Sequence, residues 1–458
     1  MIKKIIVNSN EIEENIDNRF SPKYFLITHR LKELENNPNI DMDKLANLVE
    51  YIISGSYISK YCDEGTPYLR VSDIKTLELD LNPTNLAYIN ESEIKVPNKI
   101  KVNHGDIVIG RTAVLGIASL VNELSSGYII SQHVTRLKPH FLPGYFVAVL
   151  NSVLFKKQME IASYGITRLE LTHAQLGETK IPILKKHQRK QINDLMLLAD
   201  KKHIAAMNKI SIAKEIFEKE ININYFDIPE EKTYSVSSED LENILTPKFY
   251  FPKYLNVLKE LKKRFKTIKL GDGDIGEIQR GSEVGSDNYK NYVEKTENDV
   301  PFIRTSDLIN YEVDSYPDYY IDEEIFKFLR QDLKEGDILF TKDGKIGLSA
   351  MMTKADRCII SSGIARIRLN PSGKIDPYYI FLALSTVIGL YQALQRVVIA
   401  STLPHLQLDR LGEIEIPLIE PEKQREISNL IKEAFQLKAE KKILIKEALN
   451  KIDKIVSI

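Results

Sequence analysis

Two stretches of the chain carry apolar residues at steps of three and four over an unusual length. They run from about His187 to Ile221 and from about Glu422 to Ile455, and neither contains Pro or Gly. A stripe this long is typical of coiled-coil helices, and about 35 residues at about 1.5 Å each give a helix of about 50 Å. The stripe residues are Ile192, Leu195, Ala199, Ala206, Ile210, Ala213 and Phe217 in the first stretch, and Ile427, Leu430, Ile431, Ala434, Leu437, Leu444, Ile445, Ala448, Ile452 and Ile455 in the second.

Alanines along both stripes permit close approach of two helix backbones. We therefore expect the two long helices to pack on each other in antiparallel orientation. The alternative is that each helix packs on its own domain. Pro182 and Pro417 stand just before the two starts, where proline is tolerated.

The segments that precede each long helix have the pattern of a mixed α/β domain. GDIVIG, GDILF, YIISQHVTRL and CIISSGIARIRL are short apolar or alternating runs bounded by Gly and charged residues, which predicts strands. An apolar stretch with helical spacing follows in each half, from Tyr145 and from Tyr378. The second of these is too short to span a bilayer and indicates a buried helix.

The chain is an internal repeat of two whole domains. Five segment pairs recur in one order at an offset of roughly 225–235 residues, which excludes a solenoid with its period of about 20–50 residues. The pairs are SPKYF with TPKFY, GTPYLRVSDI with DVPFIRTSDL, GDIVIGRTAVLGIAS with GDILFTKDGKIGLSA, YIISQHVTRL with CIISSGIARI, and LGETKIPI with LGEIEIPL. We predict domains at residues 1–180 and 225–415, each followed by a long helix at 181–224 and 416–458, in a pseudo-twofold arrangement.

Composition narrows the classes of protein. Apolar residues make up 43% and charged residues 28%, as in ordinary soluble proteins, and the two cysteines, Cys62 and Cys358, exclude a disulfide framework. The N-terminus lacks the apolar core of a signal peptide. These features favour a reducing cytoplasm and no membrane. The net charge of −1 counts mildly against nucleic-acid binding, unless a partner subunit supplies the phosphate contacts.

Two similar domains on a stiff helical spacer match the twofold-related half-sites of duplex DNA, which are spaced about 34 Å per helical turn. Because the two domains differ in sequence, the half-sites should differ as well, which predicts an asymmetric, bipartite target with an uncontacted gap. Base edges are read by polar side chains on ordered loops, and the candidates are those at equivalent places in the two repeats. They are Arg111, Thr112, Gln132, His133, Tyr164, Thr167 and Arg168 in the first repeat, and Lys342, Lys345, Ser362, Ser401, Thr402 and His405 in the second. Ordinary surface-loop variation is the alternative for each of them.

Four other features of the sequence bear on cofactor binding, catalysis or ion pairing. GDGDIG at Gly271–Gly276 matches a dinucleotide fingerprint only formally, because a loop-like segment follows it. DPYY at Asp376–Tyr379 is better read as a helix start than as a methyltransferase motif. PD at Pro317 with DGK at Asp343 resembles a nuclease pattern that the first repeat lacks. Arg70 and Arg304, identical in the two repeats, are expected to form ion pairs with Asp73 or Asp307, and a phosphate contact is the alternative. We therefore expect no catalytic, cofactor or metal site in this chain.

The chain resembles the specificity (S) subunit of type I restriction-modification systems. The resemblance rests on the duplication, on IPILKKHQRKQI at Ile181–Ile192 and IPLIEPEKQREI at Ile416–Ile427, and on RFSPKYF at Arg19–Phe25. It implies double-stranded DNA as ligand and two adenine methyltransferase (M) subunits as partners, joined in some complexes by restriction and translocation (R) subunits, in a prokaryotic cytoplasm. S-adenosylmethionine, ATP and Mg²⁺ would then bind only to those partners.

Two other functions stay open from the sequence. One is a self-contained DNA methyltransferase or nuclease with duplicated recognition domains. The other is a scaffold that uses the duplicated domains for protein contacts, which the near-neutral charge allows.

Overall fold

The chain forms two compact units. The computed structural model describes residues 7, 9–13, 21–92, 96–112, 115–163, 170–222, 233–242, 244, 246–272, 276–370, 375–400 and 403–456. The first unit comprises Met1–Lys201 with Ile443–Ile458, and the second comprises Lys202–Lys442. Each unit therefore contains one α/β head and a part of each of the two long helices.

In the described part of the first unit, the strands form three small sheets. A two-stranded sheet pairs β1 with β9, a four-stranded sheet has the order β2-β8-β5-β6, and a three-stranded sheet has the order β4-β3-β7 with β3 and β7 parallel. Their bounds are β1 Asp41–Lys44, β2 Val49–Ser54, β3 Thr66–Leu69, β4 Ala87–Ile89, β5 Ile107–Gly110, β6 Ala118–Leu120, β7 Ile129–Ile130, β8 Val134–Pro139 and β9 Lys180–Ile183.

The helices of the first head are short. Ser21 caps the longest of them by accepting a hydrogen bond from the backbone N–H of Tyr24, and Ser152 caps another in the same way through Phe155. Their bounds are α1 Ser9–Glu13, α2 Pro22–Glu35, α3 Leu45–Leu48, α4 Pro143–Val149, α5 Val153–Ala162 and α6 His173–Gly177.

The second head repeats the sheet plan of the first. β10 pairs with β23, one four-stranded sheet has the order β11-β20-β17-β18, another has the order β12-β16-β13-β19 with β13 and β19 parallel, and β14-β15 and β21-β22 are hairpins. The bounds are β10 Lys266–Lys269, β11 Gly276–Arg280, β12 Lys290–Asn291, β13 Val300–Ile303, β14 Leu308–Ile309, β15 Glu312–Val313, β16 Tyr319–Ile321, β17 Ile338–Thr341, β18 Ser349–Met351, β19 Ile359–Ile360, β20 Ile364–Leu369, β21 Val398–Ala400, β22 Leu403–His405 and β23 Glu415–Leu418.

The helices of the second head likewise follow those of the first. Asp376 caps the helix that begins at Pro377 by accepting a hydrogen bond from the N–H of Tyr378 at 2.8 Å, so DPYY is a helix start, as predicted. The bounds are α8 Pro252–Arg264, α9 Glu323–Leu329, α10 Pro377–Leu384, α11 Val387–Gln395 and α12 Leu408–Gly412. Among the described helices, none alone is long and apolar enough to cross a membrane, although α10 and α11 together, bent by 65°, meet that test by length and composition.

The two long helices confirm the prediction made from the apolar stripes. They are α7, Lys186–Ile221, and α13, Pro421–Val456, each of 36 residues. Within the second unit the two helices pack in antiparallel orientation. Lys202 of α7 pairs with Glu440 of α13, and Lys209 pairs with Glu433, so the partner number falls as the α7 number rises.

Both expected packing modes occur in the second unit. One apolar core contains Phe217 of α7, Ile431 and Phe435 of α13, and the buried helix α10 of the head. The helices therefore pack on each other and on the head at once. In the first unit α7 also contacts its head, because the side-chain Oδ1 of Asn193 accepts a hydrogen bond from the N–H of Gly144 at 3.1 Å.

The sequence prediction was wrong about two elements in each half. YIISQHVTRL and CIISSGIARI each form two strands, because the first part pairs in parallel in one sheet and the second part pairs antiparallel in another. Each apolar stretch that follows forms two helices, α4 with α5 and α10 with α11, broken at Asn151–Ser152 and at Ser385–Thr386.

In both halves a buried tyrosine connects the first of these helices to the segment before the long helix. The hydroxyl of Tyr145 donates to the carbonyl oxygen of Pro182, and that of Tyr379 donates to the carbonyl oxygen of Pro417, both at 2.6 Å.

Candidate nucleic-acid interface

Three loops meet at the end of strand β5 in the first unit. The backbone N–H of Arg111 donates to the carbonyl oxygen of His133 at 3.1 Å, and the N–H of Leu171 donates to the carbonyl oxygen of Arg111 at 3.0 Å. Thr112 and Glu170 form an isolated antiparallel bridge beside them. These residues (111–112, 132–133 and 170–171) are loop cluster 1.

The second unit repeats this arrangement at the end of β17. The N–H of Lys342 donates to the carbonyl oxygen of Gly363 at 2.9 Å, and the N–H of Leu406 donates to the carbonyl oxygen of Lys342 at 2.8 Å. Asp343 and His405 form the equivalent antiparallel bridge. These residues (342–345, 362–363 and 403–406) are loop cluster 2. In both heads the described residues of the three loops that the sequence comparison selected lie together, and the third loop is represented by residues 170–171 and 403–406.

The side chain of Arg111 connects the other two loops of cluster 1. Its Nε donates to the carbonyl oxygen of Gln132 at 3.2 Å, one terminal nitrogen donates to the carbonyl oxygen of Leu171 at 3.1 Å, and the other lies 3.5 Å from Glu170 Oε1. Its neighbour Thr112 is only 1% exposed. Arg111 therefore holds the loops in place, and Thr112 has no exposed surface to offer a base.

Cluster 2 places its charged residues differently. Lys342, the counterpart of Arg111, is buried, and its Nζ contacts the carboxylate of Asp343 at 3.0 and 3.1 Å. The same carboxylate is hydrogen-bonded to Nδ1 of His405, whose side chain is 43% exposed. Lys345 is exposed at the tip of the loop. Cluster 2 thus has an exposed lysine and a partly exposed histidine, whereas in cluster 1 the arginine is bonded to the backbone of the neighbouring loops.

The central turns of the two clusters carry unlike polar side chains. Gln132 and His133 lie in the turn between β7 and β8, with Gln132 Nε2 3.1 Å from His133 Nε2. Ser362 lies in the equivalent turn between β19 and β20, and its hydroxyl donates to Glu283 Oε2 at 2.7 Å. All three turn residues are half-buried. The remaining predicted positions lie outside the described residues; they are Tyr164, Thr167, Arg168, Ser401 and Thr402.

A neutral histidine lies next to cluster 1. Burial, together with the positive charge of Arg111, lowers the pKa of His173 below its usual range. Its Nε2 is 2.6 Å from the hydroxyl of Ser54 at the end of β2. At neutral pH the positive charge beside the central turn of cluster 1 therefore comes from Arg111 and not from His173.

Sequence reasoning missed a Gly-Ser pair in each head. Gly55-Ser56 follows β2 and Gly281-Ser282 follows β11, and the two serines form parallel bridges with Ser131 and Ser361, directly before the central turns. SGSY and RGSE are a sixth repeated pair in the sequence, and this repetition is the sequence feature from which the two segments could have been predicted. These segments line the same turns as the predicted loops.

The glycines of this pair are required by close backbone contact. A Cβ atom on Gly55 would lie 1.8 Å from the carbonyl oxygen of Ile130, and one on Gly281 would lie 2.2 Å from that of Ser361. We expect Gly55→Ala to lower the free energy of unfolding by about 2 kcal/mol through overpacking. Urea unfolding measures this, with Gly177→Ala as control, where the added atom meets a side-chain methyl at 3.2 Å. Equal stability of the two variants would contradict the expectation.

The arginine shared by both heads forms the expected ion pair. In the first head the guanidinium of Arg70 donates to Asp73 at 3.3 Å, and the backbone N–H of Arg70 donates to the same carboxylate at 2.8 Å. In the second head the N–H of Arg304 donates to Asp307 at 2.8 Å, and the guanidinium is 3.7 Å from it. Both pairs fix a turn of 3-10 helix after a strand, which is a structural role.

The GDGDIG segment has no dinucleotide-binding geometry in its described part. Strand β11 begins at Gly276, and the next helical element after that strand is a single turn of 3-10 helix at Ser286–Asn288. The fingerprint needs a strand before the glycines and a helix after them. The described residues on the C-terminal side of the motif therefore do not form a phosphate-binding helix start.

Comparison with known proteins gives one family and several remote structural likenesses. The sequence profile of the type I restriction modification DNA specificity domain matches residues 37–216 and again residues 262–448. The chain is similar to the S subunit of a type I restriction-modification system from M. genitalium, at 15% identity over 92% of this chain and 96% of that one, with a TM-score of 0.34. It is also similar to a chain from work on complex assembly and conformational transition of the type I R-M system, at 16% identity over 92% and 98%, with a TM-score of 0.29. A third similar structure is the HsdS subunit from Thermoanaerobacter tengcongensis, at 15% identity over 92% and 97%, with a TM-score of 0.28. No curated protein sequence matches the chain.

Proposed function

The chain belongs to the family of type I restriction-modification DNA specificity subunits, the non-catalytic recognition components of their complexes, and on this premise we propose that its two heads read two unlike half-sites of one bipartite DNA target. The observation that supports this proposal is the pair of loop clusters. They share backbone hydrogen bonds, which gives each head the same presentation of its loops, yet they differ in side chains. Direct readout depends on side-chain donors and acceptors at base edges, so two such clusters suit two different sequences.

We assign base contact to four exposed or half-buried cluster residues. We assign loop support to Arg111, whose guanidinium is bonded to backbone carbonyls, and to Lys342, which is buried. Gln132 and His133 in the first head are half-buried, Lys345 in the second head is exposed, and the side chain of His405 is 43% exposed. All four carry side-chain groups of the kinds that read bases. Arg111 and Lys342 act through the loops that they hold. The predicted residues outside the described ranges keep their original assignment as base-reading candidates.

The chemistry belongs to partners of the chain. In this proposal two adenine methyltransferase subunits dock on the specificity subunit and carry S-adenosylmethionine, and restriction subunits with ATP and Mg²⁺ complete some assemblies. Partner phosphate contacts account for a DNA-reading chain with a net charge of only −1. The site of action is the cytoplasm of a prokaryote. Residues 1–180 and 225–415 are the two heads in this scheme, and 181–224 and 416–458 contain the long helices.

We further propose that the paired long helices determine the length of the uncontacted gap. Inserting seven residues after Lys201 in α7 and seven after Lys442 in α13, where the chain divides into its two units, keeps the apolar stripe in phase, because the stripe follows a heptad. The insertion adds about 10 Å of helix, which corresponds to about 3 base pairs of B-DNA. Selection of bound duplexes from a randomised library is expected to return both original half-sites with a gap longer by about 3 base pairs.

A length-neutral variant controls this experiment. Lys209→Gln with Glu433→Gln removes the ion pair between α7 and α13 without changing the helix lengths, so it should select the wild-type gap. A changed half-site with an unchanged gap in the insertion variant would refute the proposal. Labelled S-adenosylmethionine tests the division of labour: the purified chain alone should transfer no methyl group to DNA, and transfer by the chain alone would make it a methyltransferase.

A further inference from the structure

The two heads leave strands β2 and β11 in the same way and then present different side chains. In each head a glycine follows the strand, and the next residue, a serine, donates its backbone N–H to the strand before the central turn. Ser56 donates to the carbonyl oxygen of Ile130 at 3.3 Å, and Ser282 donates to that of Ile360 at 3.0 Å. The next residues in the chain are Tyr57 and Glu283, which therefore hold equivalent places.

These two residues lie beside the central turns of the loop clusters. Ser56 bridges Ser131, the neighbour of Gln132, and Ser282 bridges Ser361, the neighbour of Ser362. The carboxylate of Glu283 touches the turn directly, since it accepts the hydroxyl hydrogen bond of Ser362 at 2.7 Å. The glycines before them keep this geometry, because neither backbone contact leaves room for a Cβ atom.

The exposure and chemistry of the two side chains point to recognition. Tyr57 is 71% exposed, although most large aromatic side chains bury much of their surface. Glu283 is also exposed. A carboxylate near DNA is repelled by the phosphates, so a carboxylate that faces the duplex is suited to a specific donor, and the amino group of cytosine is the donor that Glu and Asp accept in the major groove.

We infer that Tyr57 and Glu283 are specificity-determining residues, each for the half-site of its own head. Glu283 accepts a hydrogen bond from a cytosine amino group, and Tyr57 places its ring against a base edge, where the apolar partner is a thymine methyl group. This inference rests on the proposed function. Each head has three loop segments assigned above, and the inference adds a fourth, which was not among the five repeated pairs of the sequence analysis.

The test compares variants of the full chain, assembled with the methyltransferase subunits of its own complex, by selection from a randomised duplex library. Glu283→Gln is expected to reduce the preference for cytosine at one position of one half-site by about tenfold or more, and to leave the other half-site unchanged. Tyr57→Ala is expected to relax one position of the other half-site, while Tyr57→Phe keeps the wild-type preference because it keeps the ring. Glu297→Gln, which removes a different exposed carboxylate of the second head, should select the wild-type sequence.

Each outcome separates the inference from the proposed function. If the wild-type chain enriches no sequence, the proposed function fails. If the wild type selects two half-sites and both Glu283→Gln and Tyr57→Ala select the same two, the inference fails and the proposed function stands. Changes in the same half-site by both variants would also overturn it. The unchanged half-site of each variant shows that the variant is folded and bound.

Discussion

Replacing Glu312 by Gln is expected to lower the free energy of unfolding by about 3–5 kcal/mol, because breaking a buried ion pair leaves uncompensated charge in the interior. Glu312 is fully buried in hairpin β14-β15, and its carboxylate lies 2.8 Å from the Nζ of Lys438, 2.7 Å from that of Lys441 and 3.4 Å from that of Lys442. All three lysines are buried on α13. Glutamine fills the same space but supplies no negative charge to them.

The pH dependence identifies the carboxylate as the cause. Burial alone would raise the pKa of Glu312, but the charges of Lys438, Lys441 and Lys442 outweigh it and hold that pKa far below its ordinary value of 4.5. A carboxyl group with a lowered pKa in the folded state stabilises the protein above its unfolded-state pKa and loses that contribution as the pH falls. The difference between wild type and Glu312→Gln should therefore be full at pH 7 and shrink below about pH 4.5.

Glu324→Gln is the matched control, since Glu324 is an exposed carboxylate of the same head. Urea unfolding at pH 7 should leave that variant within about 0.5 kcal/mol of wild type. If Glu312→Gln were as stable as Glu324→Gln, the buried ion cluster would have no net role in holding the second head on α13.

Replacing Phe381 by Ala is expected to cost about 3–5 kcal/mol through loss of buried apolar surface and the cavity left behind. Phe381 is fully buried in α10. Its ring meets that of Phe435 of α13 edge-on with centroids 5.0 Å apart, and that of Tyr311 of the head with centroids 6.4 Å apart. The substitution therefore removes a ring through which the head packs on the long helix.

Phe328→Ala provides the comparison in the same unit, because Phe328 is 83% exposed. Its urea midpoint should stay close to the wild-type value, while that of Phe381→Ala falls. A small loss at both positions would contradict the expected contribution of the Phe381 ring.

The sequence predicted the long helices well because their signal is local. Predicted starts at about His187 and Glu422 and ends at Ile221 and Ile455 lie within one residue of the observed bounds. The buried face of the second long helix is not apolar along its whole length, however. Lys438, Lys441 and Lys442 are not among the apolar stripe residues, but they are buried because Glu312 and Asp356, which are distant in the chain, form ion pairs with them. No pattern within a helix can show that.

The end of one strand and the start of the next depend on the strand with which each segment pairs, and the sequence pattern does not show that pairing. YIISQHVTRL has the pattern of one strand, yet β7 pairs with β3 and β8 pairs with β5. The change of sheet creates the turn at Gln132 and His133, so the error in secondary structure lies at a candidate contact. This error did not remove the two residues from the candidates, because candidates were chosen by their equivalent positions in the two repeats and not by predicted secondary structure.

The sequence could select candidate loops by their equivalence in the two repeats, but it could not show the surroundings of each side chain. Arg111 and Lys342 were among the candidates for DNA contact, but the first is bonded to backbone carbonyls and the second is buried. Both outcomes depend on which acceptors lie nearby in three dimensions. The Gly-Ser pairs were visible in the sequence but short, and their role follows only from the backbone contacts at Ile130 and Ser361.

A base-resolution footprint of the full chain, assembled with its methyltransferase partners, tests the central claim most directly. On a duplex selected from a random library, we expect two protected patches of unlike sequence, separated by a gap of fixed length in which substitutions have no effect. The footprint should lose one patch in a variant of loop cluster 1 and the other patch in a variant of loop cluster 2. One continuous patch, or variants of both clusters that weaken the same patch, would contradict the account.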